Sequence, residues 1–175
     1  MPRILAIILE SAILVCALWV LSFLSVLLHE AGHALGYRIA TGDGHWHIRV
    51  GWGKTLLNTR RLTVKLLPFD GYFSPPEPDR IDTAAKWIGI LAGGPAVSLL
   101  AVIGLSILKF GGISFQSEVL APGALEFLMN SALSIHLFLL ILSVIPAHYF
   151  WGETKGVPTD GMQIIRVIRS HRRKP

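Results

Sequence analysis

The run Leu21-Ser22-Phe23-Leu24-Ser25-Val26-Leu27-Leu28-His29-Glu30-Ala31-Gly32-His33 decides how this chain is read. Its first part closes an apolar stretch that begins at Ile4 and is interrupted only by Glu10 and serines. Its second part puts two histidines and a glutamate at the end of that stretch, where ionisable groups are costly and usually functional. A bilayer crossing needs about 20 apolar residues in helix. Two further stretches qualify, at about 87–108 and 127–150, beside the first at about 4–28. A cleaved signal peptide has an apolar core of only ~7–15 residues and ends in small residues. The first stretch is longer and runs straight into the histidines, so it is expected to be a retained span.

Composition agrees. Of 175 residues, 52% are hydrophobic and 15% charged, against roughly 25% charged in soluble domains. Mean hydropathy is +0.56. These figures exclude intrinsic disorder and argue against a soluble enzyme. The length accommodates one domain, 1–175. The lone Cys16 allows neither an internal disulfide nor a cysteine zinc cluster, and its apolar neighbours predict a small buried packing residue.

Net charge is +5, and the distribution of the basic residues points to the bilayer as partner, with no nucleic acid. Seven Lys and Arg fall between Arg38 and Thr83, and six follow Trp151. The positive-inside rule then places the N-terminus outside and the C-terminus inside. The fold class expected is an all-α multi-pass membrane protein of three spans, N-out and C-in, in the cell membrane. Between the first two spans, His47-Ile48-Arg49-Val50 and Arg61-Leu62-Thr63-Val64-Lys65-Leu66 alternate polar with apolar, the strand period. A small cytoplasmic β-hairpin over about 45–73 is predicted, with a turn at Pro68-Phe69-Asp70-Gly71-Tyr72 and a stiff linker at 74–78. The tail 161–175 has apolar and basic residues at helical spacing and is expected to lie on the anionic inner leaflet.

In His29-Glu30-Ala31-Gly32-His33, residues four apart on a helix face the same way, so both imidazoles can bind one zinc ion. Glu30 lies about 100° round the helix, placed to act as base on a nearby water. Ala31, Gly32, Ala34 and Gly36 would let another helix approach closely. A third protein ligand is needed. His45, His47, His136, His148, Glu153 and Asp160 all stay open, and Asp160 could equally be the N-cap of the amphipathic run that follows it. Gly93-Gly94-Pro95 reads as a kink with close helix approach, or as a substrate contact.

These residues resemble, in order, the motifs of the site-2 protease family of intramembrane zinc peptidases. The resemblance rests on His29-Glu30-Ala31-Gly32-His33, Leu67-Pro68-Phe69-Asp70-Gly71-Tyr72, Ala92-Gly93-Gly94-Pro95 and Pro158-Thr159-Asp160-Gly161, and covers nearly the whole chain. It implies one zinc per chain held by His29, His33 and Asp160, with Glu30 as catalytic base. It also implies a membrane-protein substrate and an active site toward the cytoplasmic side. The chain departs from the family in having Ser98 and Ser143 where asparagines usually stand, and about a dozen residues between Pro146 and Asp160. A rival reading is a degenerate relative that holds a client without cutting it.

Overall fold

The computed structural model describes residues 2–75, 77–111 and 123–172. The loop around Ser114, Pro76 of the expected linker and the last three residues of the tail lie outside them. Helix α1 spans Pro2–Thr41, α2 Ala84–Phe110, α3 Ala124–Val144 and α4 Asp160–Arg172. The strands β1, His47–Asn58, and β2, Leu62–Ser74, form one antiparallel sheet between α1 and α2. A short 3-10 turn, Pro78–Arg80, leads into α2. Three helices, α1 to α3, are long and apolar enough to cross a membrane.

The first span does not stop at the histidines. α1 has 40 residues, about 60 Å at 1.5 Å per residue, so the His-Glu pattern sits inside a continuous helix. Its N-terminal half is exposed on nearly every side, from Ile4 to Val20. Cys16 is exposed with it, contrary to the buried packing role expected from its neighbours. Apolar neighbours in sequence mean burial in protein only where a second element covers the helix, and among the described residues little covers α1 there.

The third span is shorter than 127–150. α3 ends at Val144, and Ile145 is already extended at φ −62°, ψ 126°. Pro146 is the cause, because its ring disfavours the helical conformation of the residue before it. α2, in contrast, carries Pro95 in its interior without ending. Its start is capped by Thr83, whose side chain accepts from Lys86 N.

The hairpin differs most from expectation. Pro68–Tyr72 is no turn but the second half of β2. β2 bends so that both its ends flank Ile48–Val50: Leu62–Val64 pair on one side, Gly71–Phe73 on the other. Gly51 makes this possible at φ 87°, where a side chain would run into the carbonyls of Lys65 and Leu67. The curled sheet lies back along α1 instead of projecting beyond its end. Ile48 and Val50 pack on Phe23, Val26 and Ala34 in the main core, and Trp19 donates its indole N–H to Leu66 O at 3.0 Å. Alternation in the sequence shows a buried face but does not say what covers it; here the cover is the membrane-type helix itself.

A candidate metal centre between four elements

His29 and His33 stand one turn apart on α1, with ring centroids 5.1 Å apart. Each imidazole is held from behind by α2. His33 Nδ1 lies 2.8 Å from the Ile90 carbonyl oxygen, which can only accept, so this nitrogen carries the hydrogen and Nε2 keeps its lone pair. His29 Nδ1 lies 2.9 Å from Ser98 Oγ, with Ser98 fully buried. Both Nε2 atoms are left to face Asp160.

α2 can come this close because glycines meet there. A Cβ on Gly32 would strike the Gly93 carbonyl, and one on Gly93 the Gly32 carbonyl. Gly36 makes the same approach to Gly89. Small residues are what let apolar helices bring their backbones together. A Cβ on Gly94 would occupy the space in front of both Nε2 atoms.

Asp160 is the first residue of α4, and the cap is its neighbour. Thr159 Oγ1 accepts from Met162 N at 3.4 Å and donates to Ile145 O at 2.6 Å, while Thr159 N donates to Ala147 O at 3.0 Å. Thr159 therefore caps α4 and clips it to the end of α3. The N-cap alternative for Asp160 falls away, because its carboxylate points at the histidines. Oδ2 lies 3.6 Å from His29 Nε2 and 3.5 Å from His33 Nε2. It has no hydrogen-bond partner among the described residues.

These distances are too long for hydrogen bonds. They match a different geometry: four ligands at about 2.0–2.1 Å from a tetrahedral centre are about 3.4 Å from one another. The three donor atoms lie within 4.8 Å of one another in a buried group. An unpartnered buried carboxylate oxygen, two oriented ring nitrogens and space kept open by Gly94 fit a metal ion. Ser98→Ala should leave the fold intact and lower metal affinity about 10–100-fold, the usual effect of losing a ligand's orienting partner. Metal titration of the purified variant against wild type checks this.

Four of the remaining candidates are engaged elsewhere. His45 pairs with Asp43 at 2.7 Å, and His47 meets Thr63 at 3.1 Å. His148 lies 3.1 Å from an Arg166 guanidinium nitrogen. Glu153 bonds Arg49 and Lys65, and the Lys65 ammonium foremost holds its carboxyl below the usual range. His136 is buried in α3 with no hydrogen-bond partner at its Nδ1 among the described residues, and it is not one of the three clustered donors.

Glu30 is buried beside the two histidines, close enough to β2 that a Cβ on Gly71 would strike its Oε1. Two cavities meet at it. The larger, about 310 Å³, opens toward α3 and is lined by His29 and Glu30 with mostly apolar side chains. The smaller, about 240 Å³, contains His29, Glu30, His33 and Asp160 together. Tyr149 lines both. Burial first, then the nearby carboxylates of Asp160, Glu30 and Asp70, push its phenol above the ordinary range, so it stays a protonated donor.

Sequence reasoning missed Asp70. Its buried carboxylate accepts from Glu153 N at 2.7 Å, Thr154 N at 3.3 Å and Thr154 Oγ1 at 2.8 Å. That fastens the chain between Pro146 and Asp160 onto the hairpin, next to the cavities. No local signal marks Asp70 for this, since its partners are more than eighty residues away. No protein-family model matches the chain, and no curated protein matches it.

Proposed function

We propose that the chain is an intramembrane zinc metallopeptidase of the site-2 protease kind, cutting a peptide bond in or beside a membrane-spanning segment of another protein. The observation that carries this is the buried His29–His33–Asp160 group on an apolar three-helix scaffold, with Glu30 at the junction of two cavities. His29, His33 and Asp160 would hold the ion; zinc there would supply a Lewis acid that polarises the substrate carbonyl and acidifies a neighbouring water.

The chain's own residues account for the rest. Glu30 accepts the proton of the attacking water and returns it to the amine nitrogen as the C–N bond breaks. Ser98 Oγ and the Ile90 carbonyl hold the imidazoles in one orientation throughout. The substrate helix has to unwind first, because helical carbonyls are already hydrogen-bonded. Gly71, Tyr72 and Phe73 of β2 line the smaller cavity, which supports extended substrate pairing with this strand next to the bond to be cut.

Ser98 bears on the rival reading, a client-holding relative that does not cut. It is engaged with a metal-facing histidine, not lost, which favours a working centre. Metal analysis of detergent-purified protein, followed by cleavage assays on reconstituted membrane-anchored peptides, tests the proposal. Bound zinc with no hydrolysis of any such peptide would favour the rival.

Orientation is part of the same proposal, and the two basic pools support it. A reporter fused after Pro175 is expected to score cytoplasmic, and one inserted near Ser114 external. The opposite pattern would place the centre toward the outside.

A further inference from the structure

The larger cavity is not needed to hold a metal, yet it is the more fully built of the two. Its wall on α3 is one helical stripe, Ile135, Phe138, Leu139 and Leu142, residues three and four apart on a single face. Opposite stands Val26 of α1. An aromatic rim closes it, assembled from elements remote in sequence. Trp151 stacks on Phe138 at 5.8 Å between centroids and 16° between planes. Its indole N–H donates to Phe69 O at 2.9 Å.

Trp151 belongs to the excursion between α3 and α4. The excursion is folded on itself, with Tyr149 N donating to Val157 O at 2.9 Å and Gly156 N to Tyr149 O at 2.7 Å. Asp70 and the Glu153 ion pairs fix it to the hairpin. Trp151 is thus held as a rim and is not a loose surface side chain.

Resting on the peptidase reading above, we propose that this cavity is a specificity pocket for the side chain flanking the cleaved bond, and that it takes a bulky apolar residue, aromatic or branched aliphatic. Continuity with the site selects the occupant. Glu30 and His29 form one end of the cavity, so what fills it is attached to a bond within reach of the base. The lining is mostly apolar away from Glu30 and His29, and the polar groups of Ser22, Ser134, Asp70 and Thr154 in it are already hydrogen-bonded within the protein, so a charged or amide side chain entering it would lose its water for few new partners. About 310 Å³ accommodates one large side chain with room to spare, and too little for a folded helix about 10 Å across. A lipid acyl chain is the competing occupant.

The test uses the full-length protein in vesicles with a library of spanning peptides whose flanking position is swept through Gly, Ala, Leu, Phe and Asp. Wild type is expected to prefer Leu and Phe over Gly and Asp by at least about 10-fold in kcat/KM, the scale of apolar side-chain discrimination. Ile135→Trp, which fills the cavity, should invert the order: the Phe peptide falls at least about 10-fold while the Ala peptide changes little. Leu139→Ala, which enlarges it, should raise the Phe peptide relative to the Leu peptide, and it decides the matter should Ile135→Trp fail to insert. Unchanged ratios in the inserted variants would overturn the pocket and assign the cavity to lipid.

A second readout does not depend on turnover. A photoreactive leucine analogue at the flanking position should cross-link to α3 or the excursion in the Glu30→Gln protein. Cross-linking there without cleavage by wild type would overturn the peptidase reading and leave the pocket standing. Cleavage without cross-linking there would do the reverse.

Discussion

Asp160→Asn is expected to fold and insert as wild type does, to bind zinc weakly and to cleave nothing. Thr159, not Asp160, caps α4 and clips it to α3, and asparagine is in any case as good a cap as aspartate. What the substitution removes is the anionic oxygen facing both Nε2 atoms. A neutral amide binds zinc far less well than a carboxylate. The loss of affinity should exceed the roughly 10–100-fold that follows from losing an orienting partner such as Ser98. Zinc content, circular dichroism and cleavage are measured on one preparation. Full zinc occupancy and normal turnover would remove Asp160 from the centre.

Glu30→Gln separates binding from chemistry. Glu30 is not one of the three clustered donors, so zinc content should stay at the wild-type level. Cleavage should drop about 10²–10⁴-fold, the usual worth of a positioned general base. Glutamine keeps the size and the place beside Gly71 but cannot take up a proton. Cleavage at the wild-type rate would assign the base elsewhere.

The sequence made the helices and two of the three clustered donors legible because both rest on local pattern. Apolar runs locate α1 to α3 and bound α2 to within a few residues, but α1 continues past its run to Thr41 and α3 stops short of its own at Val144; the four-residue spacing of His29 and His33 needs no knowledge of the fold. Asp160 was one of six open candidates for a third ligand on residue grounds, and was singled out only through the family resemblance. The structure brings it to the histidines. What was illegible is contact across long separations. The curl of β2 around Val50 depends on Gly51, and a glycine reads the same in any loop. The replacement serine at 98 looked like a loss and is an imidazole partner. The dozen residues before Asp160 looked like an interruption and form the aromatic rim.

The contact of Gly32 with Gly93 has a consequence for the order in which the centre is assembled. α1 and α2 precede α3 and α4 along the chain, so their seam draws on nothing synthesised later. Their glycine seam brings Ser98 and Ile90 behind the imidazoles, so this pair alone already presents two aligned nitrogens. The carboxylate comes with α4, the last element of the chain, which Thr159 clips to the end of α3. A bulkier residue at Gly32 would act earlier than any ligand substitution, by keeping the first two helices from seating. Such a protein would be inactive and metal-free although every ligand is still encoded.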